Sequence, residues 1–222
     1  MRIFVAGATG AIGKRLVPLL VAKGHQVTAM TRKPDSVPML RNAGADPVVA
    51  DALDRSVVLC AVESAAPECI VHEMTALAGV TDYKNFDKAF GLTNQLRTRG
   101  TDNLIEAGRA IGVRRIIAQS YGNWNYARTG GPVKTERDPF DSAPPPAQRE
   151  SFVAIRLLEN KVVKDAGVVG AALRYGRRRS CARVGMAAGV SAHSRPLTPR
   201  RSANSIGNRG TVPGGKVFAP NS

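Results

Sequence analysis

The chain has 222 residues, enough for one sizeable core, with a formal charge of +15, a sequence pI near 10.6 and three cysteines. The charge alone suggests nucleic acid or an anionic membrane, yet it is uneven: residues 177–222 carry nine of the 32 Lys and Arg residues and none of the 17 Asp and Glu residues. Cys60, Cys69 and Cys181 form no CxxC pair, no metal-ligand spacing is present, and no apolar stretch approaches about 18 residues, which argues against a disulfide framework, a metal site and a membrane span. Reduced thiols and the lack of a signal-peptide core in "MRIFVAGATG" make the cytoplasm the expected location.

In chain order, "RIFVAG" (2–7) is a short apolar strand ending in glycine, and "GKRLVPLLVAKGH" (13–25) sets Leu16, Leu19 and Leu20 at helical spacing before Gly24. Strands are then predicted at "QVTAMTR" (26–32), "PVVAD" (47–51) and "ECIVHEMTAL" (68–77). A long amphipathic helix, "NQLRTRGTDNLIEAGRAIG" (94–112), precedes the strand "VRRIIAQS" (113–120). A loop rich in Pro and Gly follows (130–146), then a helix (148–167) and the strand "VVGAALRYG" (168–176). Strands alternating with helices predict a Rossmann-like, doubly wound α/β domain over 1–176, with a parallel sheet covered on both faces.

The stretch "GATGAIG" joins the first strand to the first helix and places Gly7, Gly10 and Gly13 in a GxxGxxG arrangement. Gly7 permits a tight turn, Gly10 lets backbone approach a pyrophosphate, and Gly13 lets the helix pack close to the strand. The helix start, with Ala11 and Ile12, offers N–H groups to phosphate, and Thr9 adds a hydroxyl.

With "VTAMTR", "VVADALD", "VHEMTAL", "RTRGTDNLIEAGRAIGVRRIIAQS" and "ALRYG" following in order, the chain resembles the NAD(P)-dependent epimerase/dehydratase-like proteins of the extended and atypical short-chain dehydrogenase/reductase superfamily over about 1–176. Where an NAD-specific site of this kind holds an acid for the ribose 2′-hydroxyl, this chain has Thr31, Arg32 and Lys33, which suits a 2′-phosphate and makes NADP the expected cofactor and NAD the alternative. The resemblance further implies that Asp51 and Ala52 border the adenine and that Thr75 and Ala76 line the nicotinamide ribose.

Catalysis is less legible. The resemblance implies a Ser or Thr after the fifth strand, met by Ser120, and a Tyr-x-x-x-Lys pair on the next helix, which is absent: "QRESFVAIRLLEN" has neither residue. Tyr121, beside Ser120, is the substitute proton donor, with a packing or loop role as its alternative; His72 reads as a core histidine. Arg97 stands where many relatives carry a relay asparagine.

Two functions stay open. The first is an oxidoreductase or epimerase acting on a nucleotide sugar or another carbonyl or alcohol substrate. The second is a non-catalytic NADP-binding sensor or truncated, inactive relative. The segment 177–222, with its Ser, Gly, Pro and Arg, is expected to be an irregular or disordered basic tail, degenerate or out of frame, with no specific nucleic-acid or membrane partner. The resemblance also implies a homodimer paired through the helices at 94–112 and 148–167.

Overall fold

The computed structural model describes residues 1–78, 86–122, 125–164 and 168–176, and the backbone of 190–194. Strands β1 (Arg2–Ala6), β2 (Gln26–Thr31), β3 (Asp46–Val49), β4 (Cys69–His72), β5 (Arg115–Tyr121) and β6 (Val169–Tyr175) form a parallel sheet in the order β3-β2-β1-β4-β5-β6. Helices α1 (Gly13–Ala22), α2 (Val37–Asn42), α3 (Arg55–Ala65), α4 (Phe86–Gln95), α5 (Thr101–Ala110) and α6 (Arg149–Lys164) connect them. The chain steps outward from β1 to β3 and then returns to lay β4 against the other side of β1. That reversal opens a crevice at the carboxyl ends of β1 and β4, where open α/β sheets bind their ligands.

Alternation along the strands divides the core in two. Ile3 and Val5 face one way and join Val17 of α1, Val27, Leu40 of α2 and Val71; Phe4 and Ala6 face the other and join Val58 of α3, Ile70, Leu104 of α5, Ile116 and Leu158 of α6. Both faces of the sheet are thus apolar, which explains why its strands read as nearly continuous hydrophobic runs.

The elements match the sequence expectation in order, with informative differences. β4 is four residues long rather than ten, because Glu73 to Leu77 leave the sheet and turn across its carboxyl edge. The sequence pass leaves α3 unassigned; the helix is started by Asp54, whose carboxylate accepts from the Val57 amide at 3.2 Å. Helical backbone before β5 begins at Phe86 and is interrupted by a π-helical turn, Leu96–Gly100, before α5. Such turns carry an extra residue and recur at functional sites; this one holds the buried Arg97. At the start of α6, the Asp87 carboxylate accepts from the amides of Glu150 and Ser151, tying α4 to α6.

Within the segment expected to be an irregular tail, Val190–Ser194 forms a strand, β7, antiparallel to β6, with Tyr175 opposite Val190 and Ala171 opposite Ser194. The edge of β6 presents unpaired backbone groups that any extended segment can satisfy, so this pairing needs no hydrophobic pattern in the sequence. The remainder of 177–222, including the arginines at 177–179 and Cys181, lies outside the described residues, as do the last residues of the helix predicted over 148–167. Among the described residues no helix is long and apolar enough to cross a membrane.

Candidate functional site

The glycine turn is held by contacts that only glycine allows. Gly7 has φ +90, and a Cβ there would lie 2.7 Å from the Glu73 carbonyl; a Cβ on Gly13 would lie 2.4 Å from the Gly7 oxygen and 2.6 Å from Ala8 backbone. A Cβ on Gly10 would meet the Gly7 oxygen at 3.2 Å and the Glu73 oxygen at 3.9 Å, with nothing else within 4 Å. Gly7 and Gly13 therefore serve packing, whereas Gly10 keeps a surface clear. The Gly10 amide bonds the Gly7 carbonyl and the Lys14 amide bonds the Gly10 carbonyl, but the amides of Ala11, Ile12 and Gly13 have no backbone acceptor among the described residues. No side chain caps α1, and its first turn holds no acid. Unpaired donors at the positive end of a helix dipole, beside a glycine, are the arrangement that can receive an anion such as a phosphate.

At the end of β2, Thr31 is buried and its hydroxyl is shared between Thr9 Oγ1 (3.4 Å) and the Lys33 amide (3.1 Å). Arg32 and Lys33 are exposed, and no acid stands at the strand terminus. Beyond β3, Asp51 folds its Oδ1 onto the Leu53 amide at 2.9 Å, and the buried Ala52 has its carbonyl bound by Asn103 Nδ2 at 2.8 Å. Beyond β4, Thr75 is half-buried and the Ala76 amide donates to Thr93 Oγ1 at 3.0 Å, pinning this stretch to α4. The residues expected around the cofactor thus follow β1, β2, β3 and β4 at one edge of the sheet.

Ser120 and Tyr121 are separated by strand alternation. Ser120 is 1% exposed and faces α6, where its hydroxyl donates to Glu159 Oε1 at 2.5 Å. Glu159 also receives Arg174 Nε at 2.9 Å and Nη2 at 2.8 Å, and the Arg174 guanidinium sits 4.2 Å from the Phe140 ring centre and 5.2 Å from that of Tyr126. The Tyr126 hydroxyl lies 3.2 Å from Arg174 Nη1. This buried ladder ties β5, β6 and α6 to the loop after β5, and it occupies the hydroxyl that the resemblance assigns to catalysis. Tyr121, the register partner of Tyr175, projects from the opposite face, so the structure does not bring it together with Ser120.

Several polar groups stand at this edge: His72 and Arg97, singled out in the sequence, and Glu73, which was not. His72 is a core histidine: its Nε2 lies 3.1 Å from Thr101 Oγ1, its Nδ1 accepts from the Met74 amide, and burial lowers its pKa to about 4, leaving it neutral. Arg97 is 3% exposed, has an unpartnered Nη1 and is lowered to about 10 by burial, so it remains a cation. Glu73 is 4% exposed, its Oε2 is unpartnered, and burial raises it to about 7. The acid immediately after an apolar strand, "ECIVHE", is the sequence signal that could have drawn attention to it. A concavity of about 1010 Å³ lies at the opposite end of the sheet among Gln26, Asp46, Val57 and Cys60, away from the glycine turn.

A parallel sheet with a switch point and a glycine turn feeding unpaired amides defines a Rossmann-type dinucleotide-binding domain. Residues 7–161 match a protein family described as NAD(P)H-binding, and the chain belongs to it. It is 44% identical over 177 residues to a 3-diazoavenalumate denitrifying reductase of a Streptomyces species, covering 79% of this chain and 56% of that protein. Identity to a 2-alkyl-3-oxoalkanoate reductase of Stenotrophomonas maltophilia is 32% over 120 residues, 54% of this chain and 33% of the relative. The chain thus spans little more than half of the first relative and a third of the second. A solved UDP-glucose-4-epimerase from Stenotrophomonas maltophila with bound NAD shares the fold, with a TM-score of 0.61, 22% identity, and coverage of 79% of this chain and 53% of that one. The family is thus NAD(P)H-binding, and the fold is one shared with solved proteins that bind NAD.

Proposed function

We propose that this chain binds NADP(H) and supports reduction of a small carbonyl-type substrate. The carrying observation is the glycine turn, where Ala11, Ile12 and Gly13 offer unpaired amides beside the open face of Gly10. In this reading the turn holds the pyrophosphate, Asp51 and Ala52 flank the adenine, and Thr75 and Ala76 flank the nicotinamide ribose. Arg32 and Lys33, exposed at the end of β2 with no acid beside them, favour a 2′-phosphate. The chemistry that the cofactor supplies when bound is two-electron transfer to or from a substrate carbon.

Two reductase relatives carry names that specify organic acids, an avenalumate and an oxoalkanoate. Arg97, a buried cation with a free Nη1 near Tyr121, suits an anionic substrate group better than a neutral sugar. Fluorescence titration with NADPH and NADH, followed by oxidation of bound NADPH with a panel of keto acids and neutral carbonyl compounds, tests this reading. Comparable affinity for NADH and NADPH removes the NADP preference, and turnover of neutral carbonyls alone removes the acid preference.

A second reading, a dinucleotide sensor without catalysis, is favoured by one observation. α6 lacks the Tyr and Lys pair, and the Ser120 hydroxyl is committed to Glu159. Tight NADPH binding without turnover of any panel compound is the outcome that selects it.

A further inference from the structure

We infer that Glu73 is the proton-carrying group of this site, with one carboxyl oxygen near the Tyr175 hydroxyl and the other buried without a partner. The inference rests on the proposed reading of the cleft as a nicotinamide site, and it replaces the proton donor that α6 lacks.

Position is the first argument. Glu73 is the first residue beyond β4, at the crevice between β1 and β4, and its amide continues the sheet by donating to the Ala6 carbonyl at 2.8 Å. Its backbone packs directly on the glycine turn, since a Cβ on Gly7 would stand 2.7 Å from its carbonyl carbon and 2.9 Å from the Met74 nitrogen. Thr75 and Ala76 follow within three residues. Glu73 therefore lies between the pyrophosphate turn and the residues assigned to the nicotinamide ribose.

Its side-chain environment is the second. The Tyr175 hydroxyl donates to Oε1 across 3.5 Å, from the far side of β5, while the buried Oε2 has no partner. A carboxyl buried for structure alone would have both oxygens satisfied. Among the described residues no cation acts on it: Tyr175 is the titratable group beside Glu73, His72 faces Thr101 on the other side of β4, Arg97 acts on His72, and the turn Gly7–Thr9 carries no charge. Uncompensated burial holds the carboxyl protonated up to about pH 7, the condition for donating a proton at neutral pH.

The step balances without another reagent. With a reduced nicotinamide bound, which would supply two electrons and a hydrogen to a carbonyl carbon, Glu73 would give its proton to the carbonyl oxygen, the Oε2–H bond breaking as the bond to that oxygen forms. The electron pair stays on Glu73 as carboxylate, which solvent then reprotonates, and the products are an alcohol and the oxidised dinucleotide. Tyr175 is a positioning residue: its phenol fixes Oε1 and leaves Oε2 free.

Binding tests this without turnover, because the oxidised nicotinamide ring is cationic and the reduced ring neutral. The ratio of Kd for NADP+ to Kd for NADPH is measured from pH 5.5 to 8.5 on the full chain, or for NAD+ and NADH if that pair binds more tightly. The 2′-phosphate is common to both forms and cancels. Ionised Glu73 should tighten the oxidised form about tenfold across a midpoint near pH 7. Glu73→Gln should flatten the ratio across the whole pH range, and Tyr175→Phe, which removes a bond favouring the carboxylate, should move the midpoint upward. Any carbonyl compound turned over should react at least about 100-fold more slowly with Glu73→Gln. A flat ratio in the wild type, or one unaltered in Glu73→Gln, overturns the assignment while the cofactor reading stands. Failure of the wild type to bind either dinucleotide overturns both.

Discussion

Replacing Glu159 by Ala should destabilise the protein more than any other single change on α6. Its carboxylate receives three hydrogen bonds, from Ser120 Oγ, Arg174 Nε and Arg174 Nη2, and both charged side chains are nearly inaccessible, at 7% and 6%. Removal leaves a buried guanidinium whose remaining partners are the Tyr126 hydroxyl and two aromatic faces. Truncating one member of a buried pair costs about 3–5 kcal/mol, against which cation–π contact returns about 1–2 kcal/mol that was already present in the wild type. For a chain of this size the expected fall in Tm is about 10 °C. Arg174→Met should cost a similar amount, whereas Glu159→Leu combined with Arg174→Met should cost only about 1–2 kcal/mol, the residue being the orphaned Ser120 and Tyr126 hydroxyls. Urea unfolding of the wild type, Glu159→Leu, Arg174→Met and the double variant closes a cycle that gives the coupling energy directly. Limited tryptic digestion adds a local readout, because Arg174 clamps Tyr126 and Phe140, and the loop between them carries Arg128, Lys134 and Arg137. Single changes costing under about 1 kcal/mol, or a double variant as unstable as the sum of the two, would refute the reasoning.

Gly10→Ala should fold with nearly unchanged Tm but lose NADPH affinity by at least about tenfold in a fluorescence titration, since its Cβ meets little except the space expected to hold phosphate. Gly13→Ala should fail on stability as well, because its Cβ collides with the Gly7 and Ala8 backbone. Arg32→Ala should weaken NADPH by about tenfold or more and leave NADH unaffected, the loss expected for a charged hydrogen bond to phosphate. In pH-dependent unfolding, Glu73 and His72 oppose each other. Glu73 has a folded pKa raised to about 7, so its contribution is fully present below its unfolded value near 4.5 and is lost as pH rises through 7. His72 has a folded pKa lowered to about 4, so its contribution is present above 6.5 and is lost as pH falls towards 4. Between pH 4.5 and 6.5 the two slopes oppose in the wild type, and Glu73→Gln should expose a stability that climbs with pH across that window.

The glycine turn, the order of strands and helices, and the basic end of β2 are set by local rules, and the sequence alone determined them. A turn with φ +90 demands glycine at position 7, and a strand buried on both faces must read as a hydrophobic run. Ser120 was legible as a residue at the end of a strand, but not the face on which it lies. One position along β5 decides that its hydroxyl meets Glu159, 39 residues later, while Tyr121 points away. Glu73 and Arg174 were unremarkable letters, and Arg97 stood out only for the asparagine it replaces, for the same reason: burial and partnership depend on what packs across the sheet, and no periodicity within one segment encodes it. Only the tertiary structure showed that Glu73 stands against the glycine turn with a carboxyl oxygen unsatisfied, because that juxtaposition is made by two strands, β1 and β4, whose adjacency arises from the reversal in sheet order.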